Sequence, residues 1–172
     1  MASQAAVDKH RVTAVLVSHN GAVWLPEVVA ALTSQTRPID LITAVDTGSQ
    51  DASTKLLKSA RIPFISADVE TGFGEAVSLA VEKLPKNVDH EWIWLIHDDC
   101  APAPTALAEL IAAIDDRPQV VMVGPKLLGW HDRTHLLEAG ISIAGNGARW
   151  TGLEPLEYDQ GQHDGIYDVL AV

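Results

Sequence analysis

Two adjacent carboxylates follow an imidazole at the end of an apolar run. Residues 92–96 are all apolar, and His97, Asp98 and Asp99 come directly after them. Five apolar residues in succession predict a strand buried on both faces, and a parallel sheet binds its ligands at the carboxyl ends of its strands. Neighbouring carboxylates repel each other there unless a cation lies between or beside them. The pattern therefore predicts a metal-facing site.

A second interpretation is that the two carboxylates cap the following helix, because aspartate favours helix N-termini. Residues 101–104 (Ala-Pro-Ala-Pro) intervene, and the helical pattern begins near Pro104. Both carboxylates therefore lie several residues too early to act as the cap. The neighbouring Cys100 is interpreted as a small buried residue, since no arrangement for nucleophilic catalysis surrounds it beyond His97.

Composition excludes several classes of protein. The 172 residues are 47% hydrophobic and 20% charged, which is typical of one soluble domain. The net charge is −11 and the twelve Lys and Arg residues are scattered, so no nucleic-acid partner is expected. The sequence contains neither a signal-peptide core nor an apolar run long enough for a transmembrane segment. A single cysteine fits the reducing cytoplasm.

Strand and helix patterns alternate through the first two thirds of the chain. Strands are predicted over residues 12–17, 41–45, 62–65, 92–96 and 120–123. Helices are predicted over residues 24–33, 52–60, 75–84 and 105–114. This alternation predicts an α/β fold with a largely parallel sheet, in which the strand over residues 92–96 is central.

The character of the chain changes after Lys126. Glycines become frequent, a strand with a bulge at Gly140 is predicted over residues 136–143, and residues 145–162 are predicted to be loop. Another apolar strand begins at Asp168, and the sequence stops within it. We therefore expect an N-terminal part of a longer domain.

Four segments resemble, in order, the motifs of family 2 glycosyltransferases with the GT-A fold. They are the first strand and turn (residues 12–20), the segment Val-Asp-Thr-Gly-Ser-Gln-Asp-Ala-Ser (45–53), the glycine-rich loop (72–76) and His-Asp-Asp (97–99). The resemblance covers residues 11–126, and the region beyond is similar to the bacterial rhamnosyl- and galactofuranosyl-transferase branch. One departure is His97, which stands where many relatives have a carboxylate.

The resemblance implies a three-layer sandwich around a mostly parallel sheet, truncated at its C-terminus. Residues 1–10 would be a disordered N-terminus, residues 11–126 the donor-binding half, and residues 127–172 the start of the acceptor side. Asp46 would accept an N–H of the nucleobase, and Asp99 would bind Mg²⁺ or Mn²⁺, with Asp98 and His97 as further candidate ligands. The implied donor-nucleotide residues are Ser18, His19, Asn20, Asp46, Gly48, Ser49, Gly72, Gly74 and Asp98.

The implied reaction moves a sugar from a UDP- or dTDP-linked donor to a glycan or lipid-linked acceptor, with inversion. Cell-wall polysaccharide synthesis is the implied setting, in the cytoplasm or at the inner face of the membrane. The resemblance places the catalytic base beyond Val172, so no base is assigned, and this part alone is expected to be inactive.

Three alternatives remain beside this interpretation. The first is a nucleotide-binding or interaction module without turnover. The second is a nucleotidyltransferase, which requires a long glycine-rich loop with Arg or Lys after the first strand; residues 18–22 contain neither. The third is a dehydrogenase, which is disfavoured because no G-x-G-x-x-G follows the first strand.

Overall fold

The computed structural model describes residues 10–86 and 91–170. Its strands are β1 (Arg11–Ser18), β2 (Leu41–Thr47), β3 (Phe64–Ala67), β4 (Glu91–His97), β5 (Leu127–Leu128), β6 (Leu136–Glu138), β7 (Ser142–Ile143) and β8 (Arg149–Trp150). Its helices are α1 (Leu25–Thr33), α2 (Ser53–Ser59), α3 (Phe73–Glu82) and α4 (Ala106–Ile114).

The first four strands form one parallel sheet in the order β3-β2-β1-β4. Strand β1 lies between β2 and β4, and every residue from Val12 to Ser18 is buried. Its β-branched and apolar side chains fit a strand that is covered on both faces. The carboxyl ends of β1, β2 and β4 therefore lie side by side at one edge of the sheet.

Helices cover both faces of this sheet. On one face, Ala76 and Ala80 of α3 pack against Val15, Val17 and Val45. The small alanine side chains allow the helix to approach the sheet closely. Elsewhere in the core, α1 buries its apolar residues at helical spacing, and α2 contacts both α1 and β2. The predicted α/β fold with a mostly parallel sheet between helical layers is thus confirmed.

Strand β4 differs from the prediction of a central strand buried on both faces. It is the last strand in the order of the described sheet, and Leu95 is 50% exposed. The register pairs Leu95 with Val15, so both side chains lie on the face that α3 covers. Helix α3 lies mainly over β1, β2 and β3, which leaves Leu95 open to solvent.

The strand predicted over residues 120–123 is wrong. These residues form no strand, and Val121 is 88% exposed. A β-branched run needs a neighbouring strand to supply its hydrogen bonds, and within the described ranges this run has none.

The strand predicted over residues 136–143 is two short strands instead. Strand β6 pairs with β5, and β7 pairs with β8, so Gly140 lies between two strand pairs and is not a bulge. Its positive φ of 87° suits glycine, and a Cβ there would lie 2.5 Å from the side chain of Val169. Residues 145–162, which are predicted to be loop, contain one short strand, the two-residue β8.

The predicted strand from Asp168 is also wrong for the residues that the structure describes. Asp168, Val169 and Leu170 have no strand conformation, although the N–H of Leu170 donates to the carbonyl of Ile141. Residues 171–172 of that prediction lie outside the described residues.

The chain divides into two compact units between Ala108 and Glu109. All the candidate site residues lie in the first unit. The predicted disordered N-terminus lies outside the described residues except for His10, which is buried and accepts a hydrogen bond from Trp92 Nε1. The functional boundary after Lys126 stays a prediction. No helix among the described residues is long and apolar enough to cross a membrane.

Candidate functional site

The register of the sheet brings the predicted site residues of three strands to one edge. Ser18 pairs with Asp46 of β2, and the preceding Val17 pairs with His97 of β4. Asp98 follows His97 directly. Residues that are distant in sequence therefore meet where β1, β2 and β4 end, as expected for a parallel sheet.

His19 joins the turns that follow these strands. Its main-chain N–H donates to Oδ2 of Asp98 (2.7 Å), and its ring Nδ1 lies 2.6 Å from the carbonyl oxygen of Thr47. A carbonyl oxygen only accepts, so Nδ1 carries the ring proton and Nε2 is the acceptor. Nε2 lies 3.0 Å from the side-chain amide nitrogen of Asn20, which donates to it.

Asp98 is buried and closely confined. It is 3% exposed, and its Oδ1 lies 3.2 Å from Nδ1 of His97. Gly21 lies against the other carboxylate oxygen, since a Cβ on Gly21 would stand 2.2 Å from Oδ2. Sequence reasoning missed Gly21, because its neighbour Asp98 is far away along the chain.

His97, Asp98 and Asp99 form a group of possible metal ligands. Nδ1 of His97 lies 2.6 Å from Oδ1 of Asp99, and one ligand atom from each residue lies within 4.8 Å of the others. His97 and Asp99 are more than half exposed, whereas Asp98 is not. Among the described residues, no other group of three or more such side chains has this spacing.

An open cleft adjoins His97. Its volume is about 200 Å³, and Phe73 stacks on the imidazole with ring centroids 5.9 Å apart and planes inclined by 24°. The lining side chains are those of Val17, His19, Thr47, Val69, Thr71, Phe73 and His97. Sequence reasoning missed Thr47 and Phe73, although both belong to the quoted motifs.

Asp46 is buried with one oxygen unpaired. It is 3% exposed, and Oδ2 accepts the N–H of Ser49 (3.2 Å). Oδ1 is buried and has no hydrogen-bond partner within the described chain, and the same holds for Oγ of Ser18. An unsatisfied carboxylate oxygen in a buried position is costly unless a ligand supplies a donor.

Hydrogen bonds connect the turn after β1 to the turn after β2. The N–H of Asn20 donates to Oγ of Ser49 (2.9 Å), and the N–H of Gln50 donates to Oδ1 of Asn20 (2.8 Å). Oδ2 of Asp51 accepts the N–H of Ala22 (2.9 Å). Asn20 adopts a left-handed conformation with φ of 54°, which asparagine tolerates better than most residues.

Hydrogen bonds also lower the pKa of Asp51 below its ordinary value. The side-chain hydroxyl of Ser53 makes the largest contribution, and the N–H groups of Ala22 and Ser53 add to it. Asp51 is therefore ionised at neutral pH and holds the turn at Ala22.

The glycines of the predicted nucleotide site have different local roles. Gly48 has φ of 73°, and a Cβ there would lie 3.1 Å from the backbone of Val69. Gly72 is the N-cap of α3 with an ordinary φ of −70°, and a Cβ at Gly72 or Gly74 would meet nothing within 4 Å. The fold therefore requires glycine at position 48. At positions 72 and 74 the surrounding protein atoms would leave room for a side chain.

Cys100 is half-buried, and its pKa is raised by burial and by the charge of Asp99. The thiol therefore stays protonated at neutral pH, which agrees with the interpretation that Cys100 is not a nucleophile.

The fold and this sheet edge define a domain of the GT-A type. The chain belongs to glycosyl transferase family 2, whose model matches residues 13–137. The family predicted from the motifs is confirmed, whereas the rhamnosyl- and galactofuranosyl-transferase branch is not settled by this match. No curated protein sequence matches the chain.

Solved structures share the fold at low sequence identity. Staphylococcus aureus TarS is 18% identical with a TM-score of 0.50, over 62% of this chain and 20% of that chain. Mycobacterium tuberculosis glucosyl-3-phosphoglycerate synthase in complex with UDP is 19% identical with a TM-score of 0.52, over 73% and 45%. Its complex with Mn²⁺, UDP-glucose and phosphoglyceric acid is 18% identical with a TM-score of 0.52, over 64% and 41%. The chain thus spans less than half the length of these structures.

Proposed function

We propose that this chain binds a nucleoside-diphosphate sugar and a divalent cation at the carboxyl edge of its parallel sheet, as the donor-binding part of a glycosyltransferase. Membership of glycosyl transferase family 2 supports the reaction class. The donor would be UDP- or dTDP-linked, and the acceptor would be a glycan or a lipid-linked glycan. The acceptor hydroxyl would attack the anomeric carbon directly, with inversion.

The unpaired carboxylate oxygen of Asp46 is the observation that carries this proposal. Oδ1 is buried, and an N–H donor from a ligand would satisfy it. Uracil and thymine each present a ring N–H, so a base of either kind supplies the missing donor. Asn20 and Ser49 are joined to each other beside Asp46 and would line the same pocket.

The group His97, Asp98 and Asp99 fits a divalent cation. Two carboxylates and an imidazole offer ligand atoms within 4.8 Å of one another, and hard cations prefer carboxylate oxygens together with phosphate. When bound, the cation would supply positive charge that stabilises the leaving diphosphate. The exposed Asp99 would be its main protein ligand, and the buried Asp98 would be held in place by the N–H of His19.

The glycine-rich loop would lie against the donor. Gly72 and Gly74 leave open surface at the start of α3, so a diphosphate or ribose could approach the backbone closely there. The specific branch we favour is that of the rhamnosyl- and galactofuranosyl-transferases, with a hexosyl or furanosyl group transferred during cell-wall polysaccharide synthesis at the cytoplasmic side.

Calorimetric titration of UDP and of dTDP tests the proposal. We expect one of them to bind in the presence of Mn²⁺ or Mg²⁺ and neither to bind in EDTA. Asp99→Ala should weaken this binding by at least about tenfold, because it removes a ligand from the cation. Asp116→Ala is the matched control, since Asp116 is an exposed carboxylate outside the site and its loss should not change binding.

The outcomes separate the proposal from its competitor. A sample that melts cooperatively and binds neither nucleotide contradicts the proposal. Metal-dependent binding together with sugar transfer, in a protein that contains this chain, supports it. Metal-dependent binding without any transfer in that protein favours the nucleotide-binding module.

A further inference from the structure

We infer that His97 supplies a nitrogen ligand to the cation of the proposed site and thereby shifts its preference from Mg²⁺ towards first-row transition-metal ions such as Mn²⁺. The inference rests on the proposed function and specifies the metal chemistry of that same site.

The imidazole nitrogen already points at both carboxylates. Nδ1 of His97 lies 2.6 Å from Oδ1 of Asp99 and 3.2 Å from Oδ1 of Asp98. Neighbouring ligands around a cation with bonds of about 2.1 Å are about 3 Å apart. Because a carboxylate oxygen only accepts, the 2.6 Å contact is a hydrogen bond in which Nδ1–H of His97 donates to Asp99. A cation would take the place of that proton, which would move to solvent or to Nε2. The three residues offer ligand atoms close to the spacing that joint coordination requires.

The position of the imidazole is determined by its surroundings. His97 ends β4 in register with Val17, and Phe73 stacks on its ring at a centroid distance of 5.9 Å. Asp98 is confined by Gly21 and by the N–H of His19, so it cannot rotate freely away from the ring. Phe73 is thus a positioning residue for His97, and the ring remains half-exposed to an arriving cation.

Ligand chemistry explains the expected preference. Mg²⁺ is bound almost entirely by oxygen, whereas first-row transition-metal ions accept an imidazole nitrogen, with an affinity that is lowest for Mn²⁺ and rises towards Cu²⁺. A carboxylate at this position gives three oxygen donors and an additional negative charge, which suits Mg²⁺. The imidazole of His97 replaces one of these oxygens with nitrogen, so Mg²⁺ loses more affinity than Mn²⁺ does.

Pulsed electron paramagnetic resonance of bound Mn²⁺ tests the nitrogen ligand directly. Samples of the whole chain with Mn²⁺, without and with UDP, would be prepared with natural histidine and with ¹⁵N-labelled histidine. We expect a ¹⁴N modulation from a coordinated imidazole that changes to the ¹⁵N pattern on labelling. Phe73→Leu should weaken this coupling, and His97→Asp should abolish it.

Calorimetry tests the preference. The ratio of the Mg²⁺ and Mn²⁺ dissociation constants should fall on the order of tenfold in His97→Asp, because the nitrogen ligand is replaced by oxygen. His131→Asp is the matched control: it makes the same substitution at an exposed histidine of the second unit and should leave the ratio unchanged.

The outcomes distinguish this inference from the function on which it rests. Mn²⁺ that binds without histidine coupling leaves the proposed function standing and overturns the role of His97. Failure of both Mn²⁺ and Mg²⁺ to bind, whether alone, with UDP or with dTDP, overturns both. If His97→Asp does not fold, the isotope comparison together with Phe73→Leu still tests the role of His97, because Phe73 stacks on that ring.

Discussion

The carboxylate of Asp98 occupies the space that a side chain on Gly21 would need. A Cβ on Gly21 would lie 2.2 Å from Oδ2 and 2.5 Å from the carboxylate carbon. The same Oδ2 accepts the N–H of His19. The turn after β1 therefore packs directly against Asp98 at the end of β4, and the absence of a side chain at Gly21 makes this contact possible.

Gly21→Ala should move the carboxylate of Asp98 out of its place. The added methyl group cannot be accommodated without a shift, so we expect the free energy of unfolding to fall by about 1–3 kcal/mol. Metal-dependent nucleotide binding should weaken as well, because Asp98 would lose the His19 N–H. Chemical denaturation and calorimetry measure the two effects, and an alanine variant with unchanged stability and binding contradicts this account.

Gly74→Ala should separate binding from stability. Gly74 lies in the first turn of α3, and a Cβ there meets nothing within 4 Å. Alanine in a helix should raise the free energy of unfolding by about 0.5–1 kcal/mol relative to glycine. If the donor lies against this loop as proposed, nucleotide affinity should fall in the same variant. Equal affinity in a stabilised protein would remove Gly74 from the proposed site.

Asp46→Asn should weaken nucleotide binding without weakening the fold. The substitution removes a buried negative charge whose Oδ1 has no partner, so stability should stay the same or rise by about 1 kcal/mol. Affinity for UDP or dTDP should fall at least about tenfold, because the charged acceptor for the base N–H is lost. Asp68→Asn is the control, since Asp68 is exposed and also accepts one backbone N–H. A nucleotide affinity that Asp46→Asn leaves unchanged excludes this role.

The second unit should lose local order in acid. Hydrogen bonds from the Gln162 side chain, the Glu154 N–H and His163 lower the pKa of Glu157 from 4.5 to about 2. A lowered folded-state pKa stabilises the fold above pH 4.5, and this contribution is lost as the pH falls towards 2. Nuclear magnetic resonance should therefore show the Glu154 amide shifting over this range.

Glu157→Gln provides the comparison for that titration, because glutamine does not ionise. In this variant the Glu154 amide signal should not shift as the pH falls from 4.5 towards 2. In the control variant Glu70→Gln, which changes an exposed glutamate, the Glu154 amide should shift as it does in the unmodified chain. A Glu154 shift that persists in Glu157→Gln would assign the transition to another group.

The sequence patterns predicted what depends on local periodicity. The alternating runs identified the four parallel strands and the four helices, and the burial of β1 follows from its composition alone. The exposure of Leu95 was not predictable, because it depends on where α3 lies over the sheet. The segments over residues 120–123 and 136–143 failed for a similar reason, since an apolar run becomes a strand only where a partner is available.

Within the candidate site, side-chain types and motif spacing identified most of the residues that meet at the sheet edge. The contacts between these side chains could not be predicted from residue types or motif spacing. Gly21 against Asp98 and Phe73 against His97 are contacts between segments far apart in the chain, and no local pattern reports such a contact.

The bonds between the turns after β1 and β2 have a consequence for protein engineering. The N–H of Gln50 donates to the side chain of Asn20, and the N–H of Ala22 donates to the side chain of Asp51. Each turn therefore supplies hydrogen-bond partners to the other. An engineer who wishes to exchange the loops at this sheet edge therefore has to move both segments as one unit. Residues 19–22 must be transplanted together with residues 49–51, because either loop grafted alone would arrive without the partner that shapes it.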